Sequence, residues 1–220
     1  MKKISIIDCA VKTASHNCFN RLTEVFNRPF FFHNPAIFSM DSLKRVKADG
    51  HIIFGSYSNV YEKMEWQIEL AKLMKEEILK GVPVLGICFG HQLMAEAFGG
   101  KVGPVNMEMK LYSGSREIEI LESIHGFTKG EKRRVFTSHR FEVKEIPKDF
   151  VHLATSSECQ FDGLAHKKFP YFSFQGHPEA SDYFVANAIL KDSMTHSEEQ
   201  KSYEDGLDIV SNFIKLVDSL

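Results

Sequence analysis

Cys88 stands in Gly86-Ile87-Cys88-Phe89-Gly90, between the short apolar run Val82–Ile87 and an amphipathic run closed by Gly99 and Gly100. A strand passing into a helix through so short a turn holds the sulfur at the bend, and small Gly86 and Gly90 leave room where backbones approach closely. A cysteine attacks an acyl carbon as its thiolate, yet with an ordinary pKa of about 8.5 only a small fraction is ionised near neutrality. The positive end of the following helix favours the anion, and an imidazole within reach can take or share the thiol proton. His177 is the best candidate. It follows a second apolar run, Phe169–Gln175, in the polar turn Gly176-His177-Pro178-Glu179, where Glu179 can orient the ring. These residue types suit a nucleophile, an acid/base and an orienting carboxylate.

The elements that must position them follow from periodicity. Ile4–Cys9 reads as a buried strand, and the prolines at 29 and 35 predict a loop or short elements over 27–35. His51–Phe54 is a second core strand ending at Gly55-Ser56, which leaves Ser56-Tyr57-Ser58-Asn59 free to line a site. From Tyr61 to Lys80, Met64, Ile68, Ala71, Met74 and Ile78 form an apolar stripe along a helix. Val82–Ile87 is the next strand and His91–Phe98 the next helix. This alternation predicts an α/β fold with a mostly parallel central sheet flanked by helices. Lys101–Leu111, Glu117–Leu121, Arg133–Thr137 and Phe141–Ile146 read as short strands of a small antiparallel extension. Val151–Thr155 and Phe169–Gln175 are late core strands, and Ser181–Leu190 and Tyr203–Leu216 are helices. With no repeat or internal linker, residues 1–220 read as a single domain.

At 220 residues the chain can fill one core, and 43% hydrophobic with 25% charged residues is the balance of a soluble globular protein. Lys plus Arg is 27 against 29 Asp plus Glu, so net charge calls for neither nucleic acid nor an anionic membrane. The 19 Phe residues are scattered as core material and form no membrane-spanning run. Asp8 interrupts the apolar run after Lys2 and Lys3, so the start reads as a strand rather than a signal sequence, and a cytoplasmic location is expected. Cys9, Cys18, Cys88 and Cys159 have no close pair spacing, so neither a disulfide scaffold nor a zinc knuckle is expected. His91, three residues after Cys88, is too isolated for a metal site and reads as a packed histidine. No metal or cofactor is expected.

Gly86-Ile87-Cys88-Phe89-Gly90-His91-Gln92, taken with the distant His177-Pro178-Glu179, closely resembles the paired motifs of class I, triad-type glutamine amidotransferases. The two motifs are specific together, and with the Gly55-Ser56 strand end the resemblance spans most of the chain. It implies a flavodoxin-like architecture with Cys88 as nucleophile, His177 as acid/base and Glu179 as orienting carboxylate. It also implies backbone N–H groups of Gly55 and Phe89 as oxyanion donors, and Gln92 and Ser138 as substrate-binding residues. The implied reaction is hydrolysis of the glutamine side-chain amide through a γ-glutamyl thioester, releasing ammonia. No ATP-binding P-loop is apparent, so a synthetase that accepts the ammonia would be a separate partner. Gln175-Gly176-His177 departs from the Phe-before-His form common in the family and resembles free-standing γ-glutamyl peptide hydrolases. A small Gly176 could there make space for a leaving group larger than ammonia. A catalytically inactive interaction subunit that retained the fold is the third alternative.

Overall fold

The computed structural model describes residues 1–190 and 193–220. Its centre is a nine-stranded sheet built from β1 (Ile4–Ile7), β2 (Phe31–His33), β3 (Gly50–Ile53), β4 (Val84–Ile87), β6 (Tyr112–Ile120), β7 (Lys132–His139), β9 (Phe150–Thr155), β10 (Gly163–His166) and β11 (Tyr171–Phe174). The strand order is β2-β1-β3-β4-β11-β10-β9-β6-β7. The first five run parallel, and from β11 outward every neighbour is antiparallel. The antiparallel extension is thus continuous with the main sheet. A separate ribbon pairs β5 (Lys101–Pro104) with β8 (Phe141–Glu145).

Strands β1, β3, β4 and β11 are buried at every position, as parallel strands covered on both faces must be. On one face α1 (His16–Phe26) and the last helix, α7 (His196–Ser219), pack Leu22, Val210, Phe213 and Val217 against Ile4, Leu85, Phe172 and Phe174. On the other, α4 (Glu65–Leu79) and α5 (Phe89–Ala97) pack Leu70, Met74, Ile78 and Leu93 against Ile7, Ile53 and Val84. Two single-turn helices, α2 (Pro35–Phe38) and α3 (Asp41–Arg45), follow β2, and α6 (Asp182–Ala188) follows β11. No helix among the described residues is long and apolar enough to cross a membrane.

The helix expected over 61–80 is corrected in start and face. Val60–Glu62 is a separate 3₁₀ turn, α4 begins at Glu65, and its buried side is Gln67, Leu70, Met74 and Ile78. Met64 and Ile68 are exposed instead. The reason is Gln67, whose amide donates to Ser58 Oγ at 2.8 Å and to the Asn59 carbonyl at 3.1 Å. Tying down that loop turns a polar residue inward, where spacing alone assigns an apolar one.

Candidate active site

Strand β4 passes directly into α5 at Cys88, which has φ 50° and ψ −99°. A non-glycine residue at positive φ stores of order 1–3 kcal/mol of strain, held here by its surroundings. A Cβ at Gly86 would lie 2.9 Å from the Gly90 carbonyl oxygen, and one at Gly90 would lie 2.6 Å from that of Ile53. Both glycines are therefore demanded by backbone contact across the bend. The Cys88 N–H donates to the Phe174 carbonyl at 2.9 Å, extending the β4–β11 ladder in which Gly86 faces Ser173 and Ile87 faces Phe174. That ladder brings His177, just beyond β11, beside an elbow 89 positions earlier in the chain.

His177 is fixed from two sides. Its N–H donates to the Phe136 carbonyl of β7 at 2.8 Å, and its Nδ1 lies 2.9 Å from Glu179 Oε1, an acceptor, so Nδ1 carries a proton. The ring lies against Phe184 at 4.6 Å between centroids. Nε2 is buried and has no hydrogen-bond partner among the described residues. A Cβ placed on Gly55 would be 2.9 Å from His177 Cε1 and 3.5 Å from Cys88 Cβ, so imidazole and thiol side chain converge on the same point. Cys88, His177, Glu179, Gly55 and Ser138 all line one cavity of about 280 Å³. Burial pushes the His177 pKa down, but the Glu179 carboxylate, and after it Cys88, outweigh burial and raise it to about 10. The ring is then an imidazolium at neutral pH, poised to give a proton.

The remaining expected residues are placed unequally. Neither the Gly55 nor the Phe89 N–H has a hydrogen-bond partner among the described residues. The Phe89 ring packs on Trp66 at 5.6 Å, so only its backbone is available to the site. Ser138 Oγ donates to the Ala188 carbonyl at 2.9 Å, which ties β7 to the end of α6 at the cavity wall. Gln92 is buried, and its amide donates to the Phe141 carbonyl at 2.7 Å and to Gln175 Oε1 at 3.1 Å. It is not among the residues lining the cavity. Gly176 is a correction. Its missing side chain would point at Val135 Cγ2, 2.6 Å away, and at the Phe136 carbonyl, 3.0 Å away. It lets β7 approach His177 and opens no space for a leaving group. His91 is fully buried with Nδ1 2.8 Å from Ser173 Oγ, and burial lowers its pKa to about 3. It serves packing.

Sequence reasoning passed over Gln175, whose Nε2 lies 3.6 Å from Cys88 Sγ. Its signal was position alone, two residues before His177 at the end of a core strand. Among the described residues no group of three or more His, Cys, Asp or Glu side chains could hold a metal ion.

The chain is 37% identical over 183 residues to a glutamine-hydrolyzing GMP synthase subunit from Pyrococcus abyssi, covering 82% of each chain. It is 38% identical over 147 residues to the protein of the same name from Methanopyrus kandleri, covering 66% of each. The crystal structure of a glutamine amidotransferase from Thermotoga maritima superposes with a TM-score of 0.74 over 98% of this chain and 97% of that one. At 16% identity that last likeness concerns the fold alone. The family described as Glutamine amidotransferase class-I matches residues 5–197, so the chain belongs to the class I glutamine amidotransferases and is a domain that releases ammonia from glutamine.

Proposed function

We propose that Cys88, His177 and Glu179 form the catalytic triad of this glutaminase. Cys88, as thiolate, attacks Cδ of the glutamine side chain. The oxyanion that develops accepts hydrogen bonds from the Gly55 and Phe89 N–H groups. His177 Nε2 gives its proton to the departing nitrogen, ammonia leaves, and a γ-glutamyl thioester remains. The now neutral imidazole takes a proton from water as it attacks, and glutamate leaves with thiolate and imidazolium restored. Glu179 holds the ring through Nδ1 and stabilises its charged form. Ser138 is assigned to the cavity wall that takes the amino-acid end of glutamine, and Gln92 to support of the site from behind. The observation that carries this reading is the His177 ring: Nδ1 pinned to Glu179, Nε2 buried without a partner, and Cys88 beside it on one cavity.

The names of the Pyrococcus and Methanopyrus relatives motivate the acceptor. The ammonia is handed to a separate synthetase subunit of the GMP-synthase kind, with residues 1–220 acting as one glutaminase unit. All four cysteines are free and buried, which fits a reducing, cytoplasmic setting. A second reading, hydrolysis of γ-glutamyl peptides, draws support from the rest of the cavity lining, where Thr13, Asn17, Tyr57, Tyr183 and Asn187 offer contacts to a larger leaving group.

Ammonia release from glutamine and amine release from a γ-glutamyl dipeptide panel, measured with and without an added ATP-dependent synthetase subunit, separate the readings. Cys88-dependent ammonia release that rises with the synthetase is expected. Turnover of peptides alone would favour the second reading, and folded protein without Cys88-dependent turnover on either class would leave an interaction subunit.

A further inference from the structure

Gln175 is fully buried, and its backbone N–H donates to the Asp162 carbonyl at 2.8 Å. Its side chain bridges two partners: Nε2 donates toward Cys88 Sγ at 3.6 Å, and Oε1 accepts from Gln92 Nε2 at 3.1 Å. The same Gln92 nitrogen donates to the Phe141 carbonyl at 2.7 Å.

The direction of this chain does not depend on telling nitrogen from oxygen in either amide. A backbone carbonyl only accepts, so the Gln92 group facing Phe141 must be the NH₂. Its second N–H then meets Gln175, which must answer with its oxygen. The Gln175 NH₂ is thereby turned to the sulfur. Behind Phe141 a second row of donors converges on its carbonyl from the other side. His139 Nδ1 lies 3.1 Å from the same carbonyl, and Arg116 Nη1, an obligate donor, lies 3.1 Å from His139 Nε2. Burial and the neighbouring Arg116 keep the His139 pKa well below its ordinary value, which holds the ring neutral as both roles require. Arg116 pairs with buried Asp162, which also accepts from Ser156.

The geometry points to Gln175 as a catalytic hydrogen-bond donor to the Cys88 thiolate, locked in that orientation by Gln92 and the Phe141 carbonyl. The inference rests on Cys88 being the nucleophile. A sulfur anion at a site this buried has lost most of its water, and a fixed N–H replaces part of that solvation. The bond strengthens each time the sulfur carries charge: as it attacks, and again when the thioester collapses and sulfur leaves. A glutamine that only filled space would have no such dependence.

The test uses Gln175→Met, close in length and unable to donate, and Gln92→Met, which leaves the Gln175 amide free to turn. Cys88 alkylation by iodoacetamide is followed by mass spectrometry across pH for both variants and the unaltered protein, alongside glutamine kinetics. In Q175M the alkylation curve is expected to move to higher pH by about one unit. The kcat/KM for glutamine should fall about tenfold with KM nearly unchanged, a factor equivalent to about 1.4 kcal/mol. Q92M is expected to shift the curve the same way by less. A Q175M curve that superimposes on the unaltered one overturns the proposal. If Q175M does not fold, an unshifted curve in Q92M overturns it instead. The nucleophile reading fails separately: a C88A protein that still releases ammonia would refute that role even if the alkylation shift were present.

Discussion

Glu179→Gln removes one negative charge from a buried site while nearly preserving its shape. In the intact protein burial alone would depress the His177 pKa, and Glu179 is the largest of the influences that instead lift it from 6.5 to about 10. If the substitution cancels that net rise, in which burial is already counted, the ring returns to about 6.5. At pH about 7.5 the imidazolium then falls from nearly all of the population to roughly one-tenth. Proton donation to the departing nitrogen needs that form, so kcat for ammonia release should drop about tenfold. The alkaline limb of the pH–rate profile should move from near 10 towards about 6.5. Coupling ammonia release to glutamate dehydrogenase, at saturating glutamine from pH 5 to 10.5, reads both effects. Stability offers a second check. A pKa raised on folding contributes stability that is fully present below the unfolded value of 6.5 and is lost as pH rises through about 10. The contribution is at most about 5 kcal/mol, shared with Cys88. The melting deficit of E179Q should thus be largest near pH 6 and shrink towards pH 10. An alkaline limb still near 10 in E179Q, with a pH-independent deficit, would refute the electrostatic account.

Two further substitutions probe the backbone. Cys88→Gly and Cys88→Ala should both abolish ammonia release, but only glycine accepts φ 50° freely. C88G is therefore expected to be more stable than C88A by about 1–2 kcal/mol in urea unfolding, and equal midpoints would show that the elbow stores no strain. Gly176→Ala would set a Cβ 2.6 Å from Val135 Cγ2, so it should destabilise by about 1–3 kcal/mol and leave preference among γ-glutamyl substrates unaltered. A stable G176A with a changed substrate profile would restore a specificity role to that position.

The strand-elbow-helix at Cys88 and the His177 turn were legible because their residue types are dictated by local crowding and by chemistry. Elements held by few apolar contacts were not. Helix α1 buries only Cys18 and Leu22 and has no side-chain cap at Ser15, so little in its sequence announces it. Strand β10 is only Gly-Leu-Ala-His, too short for a period to show. The terminal helix, expected from Tyr203, starts at His196, and its Thr195–Glu198 capping box was readable but lay ahead of a polar first turn. The surroundings of Gly176 and Gln92 were illegible for a common reason. Each was assigned to the cavity by its place in a motif, whereas one is fitted to β7 and the other to Phe141 and Gln175. Which way a side chain faces at a strand end depends on partners distant in sequence, and spacing is silent about those.

The Cys88 N–H bond to Phe174 has a consequence for how this domain can diversify. Because Cys88 and the residues leading to His177 extend the neighbouring strands β4 and β11, the approach of thiol and imidazole is governed by an inter-strand spacing of about 4.8 Å and not by the length of chain looping between them. The excursion through residues 101–166 can lengthen, shorten or acquire new surface while the reacting atoms keep their distance, provided Phe136 still clasps the His177 backbone and Phe141 and Asp162 still anchor the two glutamines. New acceptors for the released ammonia could be accommodated there without retuning the chemistry.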